Sequence, residues 1–319
     1  MSLNDPFKGE SVIVTGGTGS FGGTIVPELL KHQVEQVTVF SRDEEKQLDM
    51  RRRISDSRLK FIIGDVRDRD CVLDCMHSDY VYHAAALKLM PTCEQFPLEA
   101  LKTNIQGTLN VKEACAKNGV GKAILVSTDK AVKPVNTYGM TKALGEKIWL
   151  DVESPSKTLF CAVRYGNVVG SRGSVIPYFE ESMRQGKPLQ LTDDSMSRFL
   201  LTLKQAIDLV FYATKNMKGG EIFVPKNPAC KILHLAEALA GRNYPTEIVG
   251  IRPGEKTVEV LISEEEIRRT EDRQACFVIH AHGPHRGNMK QEFTSVNARQ
   301  LNVLKIRDLL KKAGVSCAS

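Results

Sequence analysis

Tyr138 and Lys142 stand at either end of Tyr-Gly-Met-Thr-Lys, a spacing that puts both side chains on one face of a helix. A phenol with an ordinary pKa of about 10 is a poor base at neutral pH, and a neighbouring ammonium stabilises its phenolate. Such a pair can take a proton from a hydroxyl. Alone, the spacing is common by chance, and an ordinary helix face is the better explanation. A second feature lies just upstream, where a β-branched run ends in Ser127-Thr128-Asp129-Lys130. That places these residues at the carboxyl end of a strand, where open α/β sheets bind ligands.

A third feature begins the chain. The run Ser11–Thr15 leads into Thr-Gly-Gly-Thr-Gly-Ser-Phe-Gly over residues 15–22. Gly16, Gly19 and Gly22, with Thr18, Ser20 and Phe21 between them, let a backbone turn tightly and approach a pyrophosphate at a helix N-terminus. The strand before it and the helix after it make this a dinucleotide-binding turn. Lys142 can then hold the cofactor ribose as well as serve Tyr138. The second strand ends Phe40-Ser41-Arg42-Asp43, where an NAD-binding unit carries an acid. Ser41 and Arg42 suit a 2′-phosphate, so NADP is expected ahead of NAD, with Asp43 keeping NAD open. Asp65, after the third strand, is placed to contact adenine; it can equally cap a helix over Arg67–Met76.

The elements that must position these groups alternate. Strands read at Ser11–Thr15, Val37–Phe40, Lys60–Gly64, Tyr80–His83, Ala123–Ser127 and Leu159–Arg164. Helical patterns lie between them at Gly22–His32, Leu98–Lys117 and Tyr138–Val152. This order predicts an α/β, Rossmann-like, doubly wound parallel sheet. After Arg164, glycine and proline punctuate the chain, which suits a smaller C-terminal region covering a ligand. The expected division gives residues 1–165 and about 200–224 to the cofactor domain. Residues about 166–199 and 225–319 then form the substrate-binding region. Ser263 and Glu266 fit a capping box, with Glu264/Arg268 and Glu265/Arg269 pairs one turn apart, so a surface helix is expected there.

The bulk properties are those of an ordinary globular chain. Its 319 residues are 42% hydrophobic and 26% charged. A net charge of +6 favours an anionic ligand, but it is dispersed, and nucleic acid would need a clustered patch. The one dense run, Arg51-Arg52-Arg53, reads as the solvated end of a short helix. No run approaches the roughly 20 apolar residues needed to cross a bilayer, and the start lacks the pattern of a signal peptide. Eight cysteines in a chain this long do not form a disulfide scaffold, so the cytoplasm is the expected compartment.

The ordered blocks TGGTGSFG, SRDEEKQ, GDVRD, HAAALK, STDKAVKPVNTYGMTK, RYGNVVGSRGSVIP, GGEIFVPK and GIRPGEK cover nearly the whole chain. Together they resemble the extended short-chain dehydrogenases, and among these the inverting UDP-N-acetylglucosamine 4,6-dehydratases of the pseudaminic-acid or capsule type. Asp129-Lys130 stands where other dehydratases of the superfamily carry Asp-Glu. Met140, Thr257-Val258 and Cys276-Phe277 depart from the pattern and bear on fine substrate preference. The resemblance implies cofactor contacts from Val66, Ala84 and Ala86, and a homo-oligomer, hexamer or dimer. It also implies a chemistry acting on a UDP-linked N-acetylated sugar. Tyr138, with Thr128 beside it, takes the 4-hydroxyl proton while hydride leaves carbon 4. Lys130 then removes the acidified hydrogen of carbon 5 as Asp129 protonates the departing 6-hydroxyl. Hydride returns to carbon 6, and carbon 5 is inverted. Asp129 and Lys130 can exchange parts of these roles, because in water the proton would sit on lysine, at a cost of roughly 9 kcal/mol for the neutral pair. Lys88 and Asn167 would face the sugar or its diphosphate. Arg198 and Arg252 would clamp the diphosphate, with Glu255 orienting Arg252.

Two patterns are decoys. His280-x-His282-x-x-His285 lacks a partner carboxylate or cysteine of convincing spacing, and Cys71-x-x-x-Cys75 lacks a second ligand pair, so no metal is expected. The rival reading is a UDP-sugar 4-epimerase, which shares the cofactor turn and the tyrosine–lysine pair but needs no group to expel water. A non-catalytic NADP-binding regulator is a remoter rival, which the intact Thr128, Tyr138 and Lys142 set disfavours.

Overall fold

The computed structural model describes residues 5–151, 156–171, 173–281 and 287–318. Six parallel strands follow in chain order: β1 (Ser11–Thr15), β2 (Gln36–Ser41), β3 (Leu59–Ile63), β4 (Tyr80–His83), β5 (Lys122–Thr128) and β6 (Leu159–Tyr165). They agree with the expected strands to within a residue at either end. Helices separate them: α1 (Gly22–Leu30), α2 (Glu44–Arg53), α3 (Arg69–Cys75), α4 (Met90–Gln95), α5 (Pro97–Leu101), α6 (Gly107–Asn118) and α7 (Thr137–Leu150). The inner strands β1, β5 and β6 are buried on both faces and rich in apolar residues, while edge strand β3 is partly exposed.

The remaining strands are β7 (Asn167–Val168), β8 (Leu189–Leu191), β9 (Ser197–Leu201), β10 (Ile222–Pro225), β11 (Ala229–Lys231), β12 (Thr246–Ile248), β13 (Val260–Ile262), β14 (Thr270–Asp272), β15 (Cys276–Ile279) and β16 (Phe293–Thr294). The central sheet runs β3-β2-β1-β4-β5-β6-β10-β15-β14. The strand order therefore reverses between β1 and β4, which opens a crevice at their carboxyl ends. Strands β14 and β15 come from the stretch expected in the substrate-binding region, yet they extend the large sheet, β15 antiparallel to β10 and β14 antiparallel to β15 at the edge.

Further helices are α8 (Val175–Arg184), α9 (Leu203–Asn216), α10 (Ile232–Ala240) and α11 (Val303–Lys312). Two apolar clusters cover the two faces of the large sheet. A third, built on Phe179, Leu189, Leu191, Leu235 and Ile306, forms a separate core under α8, α10 and α11. That core holds the smaller region against the crevice.

Three local expectations change. The stretch read as one helix from Leu98 to Lys117 is broken by a π turn over Lys102–Gln106, which turns Thr103 and Asn104 inward. The cap of α3 is Asp68, which accepts from the Cys71 N–H at 3.1 Å, rather than Asp65. Around Ser263 there is no surface helix, only a short 3₁₀ turn over Ile267–Arg269. Glu266 points inward to buried Arg164, although the Glu265–Arg269 pair forms at 3.1 Å. The Arg51–Arg53 run closes α2 and is exposed.

Candidate active site

Gly16 sits at φ +65°, and a Cβ there would lie 2.8 Å from the backbone of Ala85. Only glycine allows the first turn to pass so close to the end of β4. Together they floor one end of a cavity of about 1360 Å³ at the sheet's reversal point. Thr18, Gly19, Ser20 and Phe21 line it, as do Ser41, Arg42, Asp65, Val66, Ala84 and Ala86. Gly22 does not; it begins α1 and packs on Gly17. Arg42 Nη1 approaches Asp65 Oδ2 at 3.3 Å, while Arg67 holds the same carboxylate at 2.7 Å. Thr18 Oγ1 donates to Ser41 Oγ at 3.2 Å, tying the two turns together. Thr103, Ser127 and Ser174 also line this cavity, and their buried hydroxyls have no hydrogen-bond partner in the protein. A close-approach glycine turn at the sheet's reversal point fits a dinucleotide.

Four elements converge on the other end. α7 starts at Asn136, whose side chain accepts from the Gly139 N–H at 2.7 Å and donates to Gly254 O at 2.7 Å. One residue thus fixes both the helix start and the loop that carries Arg252 and Glu255. A Cβ at Gly139 would lie 2.3 Å from Lys130 O, so the helix packs directly on the turn after β5. Asn104 completes the frame by bonding both backbone groups of Leu87, at 2.8 and 2.9 Å, and Thr141 Oγ1 at 3.0 Å.

This frame brings Thr128, Lys130, Tyr138 and Lys142 to one wall of the cavity. Burial pushes the Tyr138 phenol up to about 12, while the Lys130 ammonium and Thr128 hydroxyl act in the opposite sense. Burial pulls Lys142 down to about 8, with Glu146 opposing it. Lys142 Nζ donates to Val126 O at 2.8 Å. The Lys130 ammonium thus favours the Tyr138 phenolate, while Lys142 is held by the backbone of β5.

Asp129 is fully buried and does not line the cavity; Lys130 lies between it and the open space. Lys130 Nζ donates to Asp129 Oδ1 at 2.9 Å and to Asn167 Oδ1 at 3.4 Å, and Glu259 Oε1 stands 3.4 Å away. Asp129 Oδ1 also accepts from Thr128 Oγ1 at 2.9 Å, while Oδ2 has no partner. Burial raises the Asp129 carboxyl, with Lys130 opposing it and Glu259 reinforcing it. For Lys130, burial acts downward, but Asp129 and Glu259 outweigh it and hold the ammonium above its ordinary range.

Lys88, Asn167, Arg198, Arg252 and Glu255 all line the cavity. Arg198 is buried, its guanidinium donating to Ser197 O at 2.8 Å and lying 3.5 Å from Glu259 Oε1. The backbone N–H of Glu255 donates to Arg252 O at 3.1 Å, and its buried Oε2 has no partner. Glu259, which precedes β13, has no counterpart among the sequence expectations. Nothing local in Lys-Thr-Val-Glu-Val marks it, because its partners Lys130 and Arg198 lie far away in the chain. Met140, the bulky departure, is exposed and stands outside the cavity.

His282 and His285 lie outside the described residues, and His280 pairs with Glu271 at 3.1 Å. Among the described residues no group of three or more histidine, cysteine, aspartate or glutamate side chains could hold a metal. No helix among them is long and apolar enough to cross a membrane.

Residues 12–281 match the family described as polysaccharide biosynthesis protein. The UDP-glucose 4-epimerase of Rickettsia typhi is 42% identical over 327 residues, which cover 95% of this chain and 96% of that one. The X-ray structure of Pen from Bacillus thuringiensis is 36% identical, superposes with a TM-score of 0.89, and covers 96% of this chain and 99% of its own. At 21% identity, DesIV, a dTDP-glucose 4,6-dehydratase from Streptomyces venezuelae, shares the fold over 77% of this chain and 86% of its own, with a TM-score of 0.69. The chain belongs to the polysaccharide biosynthesis protein family and has the Rossmann-like fold of nucleotide-sugar dehydratases and epimerases.

Proposed function

We propose that the chain dehydrates UDP-N-acetylglucosamine to a 6-deoxy-4-keto sugar with inversion at carbon 5. The observation that carries this reading is Lys130. Its ammonium is buried between Asp129 and Glu259 and lines the same cavity as Tyr138. Interconversion at carbon 4 has no use for such a group; expelling water from carbons 5 and 6 does.

NADP is the proposed cofactor, held by the Gly16 turn, Thr18, Ser41, Arg42, Asp65 and Lys142. When bound it would accept hydride from carbon 4 and return it to carbon 6. Tyr138 takes the 4-hydroxyl proton, with Thr128 and the Lys130 charge stabilising the phenolate. The new ketone acidifies the carbon-5 hydrogen. Lys130, the member of the pair at the cavity, first passes its resting proton to Asp129 across 2.9 Å. As a neutral amine it removes the carbon-5 hydrogen, while the proton parked on Asp129 is relayed through Lys130 to the departing 6-hydroxyl, which leaves as water. A solvent proton added later from the opposite face restores the carbon-5 hydrogen with inversion. Asp129 thus works through Lys130. Lys88, Asn167, Arg198 and Arg252 are the proposed contacts to the sugar and diphosphate, with Glu255 beside Arg252.

Self-association is part of the proposal. Phe96, Leu98 and Leu101 are exposed beside Met140 and Leu144, where α5 packs on α7.

The name carried by the Rickettsia relatives favours a second reading, UDP-hexose 4-epimerisation. Incubation with UDP-N-acetylglucosamine and with UDP-glucose, followed by mass analysis, separates the two. Loss of one water from the first substrate supports dehydration. An isomer of unchanged mass from either substrate, without water loss, supports epimerisation and sinks the main reading.

A further inference from the structure

We infer that Glu259, which does not line the cavity, is a positioning residue that sets when Lys130 holds its proton. The inference rests on the dehydratase reading and adds a third member to the Asp129–Lys130 pair. Glu259 is almost wholly buried, and its Oε1 lies 3.4 Å from Lys130 Nζ and 3.5 Å from Arg198 Nε. Its Oε2 has no hydrogen-bond partner and stands 4.0 Å from Lys256 Nζ. A carboxylate serving only to hold the fold would be expected to use both oxygens. Here one is left bare inside a cluster of charges, where its effect is felt through the field.

The groups facing that field are Asp129 and Lys130 from the turn after β5, Arg198 from β9, and Lys256 from the loop before β13. Tyr138 of α7 reaches it through Lys130. With every group except Tyr138 ionised, three cations face two carboxylates. Elimination needs one proton shared between Asp129 and Lys130. A second proton leaves no base, and none leaves nothing to give the departing hydroxyl. Glu259 adds negative charge beside the pair, so it raises both transitions that bound this one-proton state.

The test follows from that sign. In Glu259→Gln the bell-shaped pH profile of dehydration should move to lower pH by roughly one unit or more. Carbon-4 oxidation, read by borodeuteride trapping of the 4-ketone, should move less than dehydration, because Tyr138 feels Glu259 only through Lys130. Glu259→Asp should return the dehydration profile most of the way. If Glu259→Gln does not fold, Lys256→Met gives the opposite test, because removing a cation should move the profile to higher pH. Dehydration that weakens equally at every pH, with its profile unmoved, overturns the inference and leaves Glu259 a packing residue. An unmutated enzyme that yields only an isomer instead overturns the dehydratase reading, and the inference with it.

Discussion

Glu146 accepts from Nε and Nη2 of Arg164, at 3.0 and 2.6 Å, from a position one helical turn beyond Lys142. The other edge of the guanidinium holds Glu266 at 3.0 and 2.9 Å, and Leu261 O accepts at 3.0 Å. One buried cation therefore joins α7, β6 and the segment after β13. Burial penalises that charge, but the two carboxylates outweigh it and hold Arg164 above its ordinary range.

Arg164→Met should be strongly destabilising, because it strands two buried carboxylates close together. Removing one partner from a buried pair costs roughly 3–5 kcal/mol. Denaturant midpoints with unchanged slopes would measure it. Arg164→Lys should recover only part of the loss, since an ammonium cannot form two forked pairs. A loss below about 1 kcal/mol, the ceiling for an exposed pair, would mean that water relaxes the site.

Lys142 carries a stability cost that has a pH signature. Its folded pKa is about 8 against an ordinary value of 10.5, so folding disfavours the protonated form. The penalty is full below about pH 8 and fades as pH rises towards the unfolded value. Lys142→Met should therefore stabilise the cofactor-free protein by up to about 3 kcal/mol near neutrality, less the lost bond to Val126. The gain should shrink above pH 8, while carbon-4 oxidation is lost. Thermal melts at several pH values would check this, and a gain independent of pH would contradict it.

How far the sequence could be read depends on the range of the interactions involved. The strands β1 to β6 and the Gly16 turn are visible because burial on two faces and a tight turn each leave a local signature. Tyr138 and Lys142 are visible because one helix carries both. Glu259 is hidden, and so is the reach of Glu266 to Arg164, since each partner is brought near only by the fold. The local bond of Glu266 to Ser263 is legible and forms at 3.0 Å. The break at Lys102–Gln106 is hidden for the same reason. Nothing in Lys-Thr-Asn-Ile-Gln forbids helix, and its π turn goes with Asn104 bonding Leu87 and Thr141. Gly-Asp-Val-Arg-Asp-Arg-Asp offers several caps, and where the chain leaves β3 decides for Asp68.

Arg42 should decide cofactor preference. Its guanidinium is half-exposed at the cavity's edge, with Asp65 at 3.3 Å and Ser41 beside it. The unmutated protein should bind NADP more tightly than NAD. Arg42→Ala should weaken NADP by roughly 10-fold or more, the worth of a charge-assisted phosphate contact, and change NAD little. Titration calorimetry with both nucleotides would measure this. Tighter binding of NAD by the unmutated protein would remove Arg42 from the role.

The last prediction concerns the order in which Tyr138, Lys130 and Asp129 are needed. Tyr138→Phe should abolish the 4-ketone, and with it deuterium uptake at carbon 5, because no acidified hydrogen then exists. Lys130→Ala should still bind UDP-N-acetylglucosamine and form some 4-ketone, but lose both the uptake and the product. Oxidation should slow in that variant too, since the Lys130 charge favours the Tyr138 phenolate. Asp129→Asn leaves Lys130 in place but removes the acceptor of its resting proton, so dehydration should fall by roughly 10²–10⁴-fold, as for loss of a general acid or base. Lys130→Glu puts a third carboxylate against Asp129 and Glu259. Three like charges in one buried cluster cannot all ionise, so most activity should be lost. In deuterated water the unmutated enzyme should give the L-arabino 6-deoxy-4-keto sugar. A D-xylo product from the first turnovers would show that Asp129-Lys130 does not mark inversion, and full dehydration by Lys130→Ala would show that the lysine is not the base.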